Sequence, residues 1–296
     1  MKKFIFLLLL VLAVVFYFNN SNAHPEPANA PLPLSGHAHN DYQHEHPLWD
    51  ALHYGFGSIE VDVRLMGGTL FVAHDSEDIR PFKTLKSMYL NPLRELVKNN
   101  NGGVYQDGSG IILLIDIKSD AEDGWKALAA LLPEYEEILS GRVGGKLEQG
   151  KVTIVVSGER DLNAMVAAEK ALAMYDGRLV DLQKNPNVTI ISLISAKWTE
   201  EFGWNGKDPM AEEDLEKLNR IVAKAHSQDR KVRFWDTDIS DEVAQQRMWN
   251  LLLTAGVDFI GTDKLKDFKN FSYTDEAISS LNRSKDSGNQ GDAPPH

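Results

Sequence analysis

Between residues 58 and 65 apolar and charged side chains alternate without a break. Ile59, Val61, Val63 and Leu65 fall on one side, and Glu60, Asp62 and Arg64 on the other. Successive side chains of a strand point to opposite faces, so this stretch predicts a strand with one aliphatic and one charged face. Further strands are predicted at 34–38, at 69–73 after the turn signal Gly67-Gly68, at 111–118, 152–156, 178–182, 188–194, 231–236 and 257–261. Between them lie helical patterns at 47–54, 84–98, 161–174 and 241–255. One more helix carries Trp125, Leu128, Leu131 and Leu132 and is ended by Pro133, and another is traced by Leu215, Leu218, Ile221, Val222 and Ala225. The spacing of 178–182 and 188–194 leaves little room for a helix. Strands alternating with helices over this length predict one α/β domain, a (β/α)8 barrel. In such a barrel the outer face of each strand is covered by helices, so the charged face of 58–65 points inward.

The ends read differently. Lys2 and Lys3 precede an apolar run from Phe4 to Phe18 and a polar stretch ending at Ala23, which predicts a signal peptide over 1–23 and a periplasmic or extracellular protein, with an uncleaved membrane anchor as the alternative. Residues 24–31 form a proline-rich leader, expected as an extended linker, 32–271 the barrel, and 272–296 a tail without periodicity, expected to be disordered. The chain has no cysteine, which excludes disulfides, thiolate metal sites and a cysteine nucleophile. The formal charge is −12, and −14 once Lys2 and Lys3 are removed, which argues against nucleic acid as a partner. Contact with a lipid surface is left open.

Chemistry concentrates between Gly36 and Asp75. Glu60 and Asp62 project the same way from one strand, and Asp116 stands on the next barrel strand. Three carboxylates together are costly without a cation, and their oxygen ligands suit one divalent ion, Ca2+ or Mg2+. His37 and His39 end the first strand and His74 follows the hairpin strand, so all three lie at the carboxyl-end mouth. A His-x-His pair also opens the ligand set of amidohydrolase-type metallohydrolases, but the nine histidines leave none on the middle and later strands to complete it. The other chemistry is phosphodiester cleavage, with one imidazole removing and another delivering a proton. His39 is either the true catalyst of the first strand or a group supporting it. Asn40 contacts substrate or stops the strand. Arg178, Lys197 and Arg233 are candidates for cations at the mouth but are expected chiefly as surface or salt-bridging residues.

The ordered set G-H at 36–37, S-I-E-V-D at 58–62, H-D at 74–75, D-I-K at 116–118, R-F-W-D at 233–236 and G-V-D-F-I-G-T-D at 256–263 resembles the superfamily of glycerophosphodiester phosphodiesterases and phosphatidylinositol-specific phospholipases C. The aspartate at 116 is similar to the sphingomyelinase D branch. The chain lacks the H-R-G and P-E-N-T motifs of glycerophosphodiesterases, and its H-N-D-Y form resembles barrel proteins grouped with a yeast mitochondrial-inheritance protein. The resemblance implies that His37 and His74 are the acid/base pair, that Glu60, Asp62 and Asp116 hold the metal, that Lys118 contacts phosphate, and that Trp235 is an aromatic wall near the head group; His39 and Asn40 are expected beside it as substrate-binding residues. The expected substrate is a small phosphodiester or a lipid head group. A non-catalytic barrel that binds a head group or a sugar phosphate is the alternative.

Overall fold

A computed structural model describes residues 24–274 except 33, 34 and 169, together with 277 and 279. The apolar segment read as a signal peptide, and all but a few residues of the expected tail, lie outside the described residues. The strands are β1 (Gly36–Ala38), β2 (Ser58–Met66), β3 (Thr69–Val72), β4 (Ile111–Ile117), β5 (Gly141–Val143), β6 (Lys146–Glu148), β7 (Val152–Gly158), β8 (Lys170–Ala171), β9 (Met174–Gly177), β10 (Leu193–Lys197), β11 (Lys231–Trp235) and β12 (Phe259–Thr262). Eight of them run parallel in the order β1, β2, β4, β7, β9, β10, β11, β12, and β12 pairs back onto β1. The sheet is therefore a closed (β/α)8 barrel, as the alternation predicted. β3 is an antiparallel addition on the outer part of β2, and β5, β6 and β8 form a small separate sheet.

The helices are α1 (Trp49–His53), α2 (Asn91–Asn99), α3 (Ala121–Leu131), α4 (Leu162–Ala167), α5 (Asp181–Lys184), α6 (Trp198–Glu201), α7 (Glu212–His226), α8 (Glu242–Thr254) and α9 (Leu265–Ser272). Ile59, Val61 and Val63 face this helical layer and belong to one core with Leu52, Leu93 and Leu128. Inside the barrel a second cluster of Leu114, Val155, Met174, Leu193 and Phe259 closes the floor. Two residues further along four of those strands the same face carries Asp116, Ser157, Asp176 and Ser195. Burying the whole polar layer costs free energy unless its groups are paired. Asp176 accepts hydrogen bonds from Ser157 Oγ (2.8 Å), Ser195 Oγ (2.5 Å) and Arg178 Nη1 (2.7 Å).

Four expectations are corrected. The helix read over 161–174 ends at Ala167, where the Arg142 guanidinium takes the carbonyls of Met165 and Ala168 (3.0 and 2.7 Å), and the following residues become β8 and β9. The strand expected at 178–182 is β9, and 181–184 is instead the helical turn α5, with Asp181 Oδ2 accepting from the Arg178 amide at 2.9 Å. The strand expected at 188–194 starts only at Leu193, because Asn187 Oδ1 accepts from the Thr189 amide (2.9 Å) and turns the chain. The leader expected as an extended linker lies on α1: the Ala28 amide donates to the Leu52 carbonyl at 3.0 Å and the His24 ring stacks on Trp49 at 3.4 Å. Among the described residues no helix is long and apolar enough to cross a membrane.

Candidate active site

A cavity of about 240 Å³ opens at the carboxyl end of the barrel. Its wall is built by strand register. Asp62 pairs with Asp116 across β2 and β4, and Asp116 with Ser157 across β4 and β7. One ligand-capable oxygen each from Glu60, Asp62 and Asp116 lies within 4.8 Å of the others. Asp62 Oδ1 and Asp116 Oδ1 are buried with no hydrogen-bond partner. Lys118 Nζ makes ion pairs with Asp116 Oδ1 at 3.1 Å and Asp62 Oδ1 at 3.6 Å. Burial pushes the Asp62 carboxyl up to about 6 against the pull of Lys118, and the neighbouring Asp116 charge adds to the rise. Asp116 is raised as well, again chiefly by burial. Orphaned, crowded carboxylate oxygens fit a hard divalent cation, and the donor set contains no soft ligand. Gly158 keeps this space open: at φ 69°, a Cβ there would meet Asp116 Oδ1 at 2.1 Å.

Two histidines face the cavity in matching ways. His39 Nδ1 hydrogen-bonds Asp263 Oδ1 at 2.8 Å, and His74 Nδ1 hydrogen-bonds Asp75 Oδ2 at 3.0 Å. Each carboxylate holds Nδ1 and leaves Nε2 for the cavity. Burial alone would lower the His39 pKa, but the hydrogen bond to Asp263 and the charge of Glu60 outweigh it, and the net shift is upward. Arg64 Nε donates to the His74 carbonyl at 2.7 Å and fixes where that ring starts.

His37, expected as half of the acid/base pair, is not brought into the cavity. It is fully buried, its Nδ1 is 2.7 Å from Ser58 Oγ and its Nε2 is 2.8 Å from Glu60 Oε2, so neither nitrogen is free to reach a substrate. Burial, reinforced by the Arg233 charge, lowers its pKa to about 4 and keeps the ring neutral. Arg233 Nη2 donates to the same Glu60 oxygen at 2.7 Å. Burial would raise the Glu60 carboxyl, but Arg233 and His37 together hold it well below the usual range. The structure brings His39, Asn40, Glu60, His74, Asp116, Lys118 and Trp235 to the cavity wall, with Asp62 beside them.

Two residues expected chiefly as salt-bridging groups also belong to the site. Arg178 and Arg233 line the cavity as well as making ion pairs, and the Arg178 guanidinium lies 5.1 Å from the centre of the Trp235 ring. Lys197 instead pairs with Asp236 at 3.8 Å, away from the cavity. Each position of H-N-D-Y has its own task. Asn40 takes a left-handed conformation (φ 47°) that turns the chain off the end of β1 beside His39. Asp41 is buried and accepts from the Leu48 amide (2.6 Å) and the Tyr89 hydroxyl (2.7 Å), pinning the loop. Tyr42 donates its hydroxyl to Asp62 Oδ2 at 2.8 Å, leaving Oδ1 as the free ligand atom. The one signal in the sequence for these roles was the motif itself, H-N-D-Y at 39–42, placed where the first barrel strand ends.

The model of the AIM6-like phosphodiesterase domain family matches residues 28–176. Altered inheritance of mitochondria protein 6 homolog from Arthroderma benhamiae is 27% identical over 258 residues, covering 79% of this chain and 82% of that protein. The Candida glabrata protein named Altered inheritance of mitochondria protein 6 is 25% identical, covering 77% of this chain and 68% of its own length. Among solved structures, a glycerophosphoryl diester phosphodiesterase from Parabacteroides distasonis aligns with a TM-score of 0.46 and 15% identity over 87% of this chain and 90% of that one. The expectation of a periplasmic or extracellular protein is withdrawn, since the relatives carry names that speak of the inheritance of mitochondria.

Proposed function

The chain belongs to the AIM6-like phosphodiesterase domain family, and from that premise we infer that it is a metal-dependent phosphodiesterase using His39 and His74 as its acid/base pair. The observation that carries this reading is the shared cavity: two aspartate-oriented imidazoles open onto the space that holds the orphaned carboxylate oxygens and Lys118.

Glu60, Asp62 and Asp116 would hold one Mg2+ or Ca2+, which when bound neutralises charge on the phosphoryl oxygens. Lys118 and Arg178 face the same phosphoryl group and stabilise the charge that develops on it. Asp263 favours the imidazolium form of His39, which suits that ring to deliver a proton to the leaving oxygen. His74 then takes the proton of the attacking oxygen, whether water or a neighbouring hydroxyl of the substrate. Asp75 holds its Nδ1 so that Nε2 does the work. His37 acts through Glu60, fixing with Arg233 which carboxylate oxygen turns to the cavity.

The test is turnover of bis(p-nitrophenyl) phosphate and of glycerophosphodiesters with Mg2+ or Ca2+ and with excess chelator. Turnover is expected with the ion and lost in chelator. Full activity in chelator would remove the metal from the reading, and binding of diesters without any turnover would favour a binding barrel.

A further inference from the structure

We propose that a groove beside His74 binds an anionic group on one arm of the substrate, so that the natural substrate is a phosphodiester carrying a second negative group. This rests on the phosphodiesterase reading above and names the class of diester. The groove has a volume of about 330 Å³ and is lined by Tyr42, Val72, His74, Asp78, Arg80 and Lys83 among others. His74 also lines the central cavity, so a diester whose phosphorus sits over the carboxylates has one alcohol arm with this groove beside it.

The groove is charged in a way the surface around it is not. The chain has 43 acidic against 31 basic residues, and ion pairs take up many of its cations, among them Lys86, Lys118, Lys126, Arg178 and Arg233. Among the described residues neither Arg80 nor Lys83 has a carboxylate partner, and Asp78 is the one acid on the groove's wall. Arg80 Nη1 donates to the carbonyls of Glu77 and Ile79 (2.6 and 3.0 Å), which orients the guanidinium without neutralising it. A fixed guanidinium beside an ammonium suits a phosphate or carboxylate oxygen.

The backbone holds the two cations in place. Phe82, between them, has φ 71° and is 89% exposed, a costly conformation for a bulky side chain and a costly position for an aromatic one. Its carbonyl accepts from Ser87 Oγ at 2.5 Å and the Lys83 carbonyl accepts from the Val72 amide at 2.9 Å. The turn at Phe82 reverses the chain along β3, leaving Arg80 and Lys83 on the wall of the same groove.

The experiment compares three diesters with the metal-loaded full chain: glycerophosphoglycerol, the same compound bearing a terminal phosphomonoester, and the same bearing a terminal carboxylate. The anionic compounds are expected to be preferred by about tenfold in kcat/KM, through KM, with the phosphate and carboxylate arms showing which anion the groove favours. In the Arg80→Ala/Lys83→Ala double variant the preference is expected to fall to within about twofold of unity, and Lys83→Gln alone, at an exposed position, is expected to lose part of it. Turnover of the diester with uncharged arms, with no preference for those bearing an anionic arm, would overturn the proposal and leave the phosphodiesterase reading standing. If no diester is turned over, that reading fails, and calorimetric binding of the same compounds decides the groove: tighter binding of the anionic ones that is lost in the double variant supports it, and equal binding to both proteins overturns it.

Discussion

Two layers of the barrel mouth differ by about one strand pleat and by almost everything else. In the lower layer His37, Ser58, Glu60 and Arg233 are buried and bonded to one another. In the upper layer His39, His74, Asp62 and Asp116 keep a nitrogen or an oxygen turned to the cavity, and two of those oxygens have only the Lys118 ammonium beside them. The lower layer has used its hydrogen-bonding capacity on structure, and the upper one has not. Glu60 belongs to both, with one oxygen fixed by His37 and Arg233 and its carboxylate among the three that converge. A polar residue type therefore says little about function until its remaining valences are counted.

The contrast breaks most sharply between His39 and Arg233. Replacing His39 by Ala is expected to lower kcat for a diester by about two to four orders of magnitude while leaving the denaturant midpoint within experimental error, since the ring donates no bond to the core. Arg233→Ala is expected to do the reverse in kind. It strands the Glu60 carboxylate, and removing one partner of a buried pair typically costs about 3–5 kcal/mol, read as a lower urea midpoint in the ion-free protein. An Arg233→Ala protein of unchanged stability would show that the lower layer is not structural.

How much of this was legible follows from the same two layers. The alternation of Ile59, Val61 and Val63 with Glu60 and Asp62 gave the barrel and the acidic wall, because side-chain parity is a property of the strand alone. The choice between His37 and His39 was not legible by parity, since both lie on the same face with only Ala38 between them. What decides it is where β1 ends relative to the rim: pairing of Ala38 with Ile59 and Thr262 places His39 beyond the last ladder position and beside Asp263. That is a fact of tertiary register. The misplaced strands between 161 and 194 have a similar origin, since Leu172, Ala173 and Met174 continue a helical pattern of apolar residues and only the contacts of Arg142 with the end of α4 show that the helix has stopped.

pH sharpens the comparison at the upper layer. The folded-state pKa of Asp62, about 6, lies above its ordinary 3.8. Between those values the native state binds more protons than the unfolded state, so the ion-free protein should lose stability as pH rises from about 4 to about 6. The cost is absent below that window and fully present above it, on the order of 2–3 kcal/mol. Asp41, also raised to about 6 by burial, contributes in the same direction whether or not the ion is bound. The difference between ion-loaded and ion-free melting curves isolates the carboxylate cluster, and it should widen from pH 4 to pH 7. A difference independent of pH would mean that Asp62 does not take part in holding the ion.

The smallest expected effect tests whether the H-N-D-Y loop reaches into the site through Tyr42. Its hydroxyl donates to Asp62 Oδ2 and so leaves Oδ1 for a ligand. Tyr42→Phe keeps the ring and its packing but removes one hydrogen bond to a charged acceptor, worth about 1.5–3 kcal/mol at most and less where water can replace it. Metal affinity is expected to weaken by roughly tenfold, with kcat at saturating ion changing by less than about threefold. That split identifies Tyr42 as a residue that positions a metal ligand, whereas an equal loss of kcat at saturating Mg2+ would place its hydroxyl on the substrate instead.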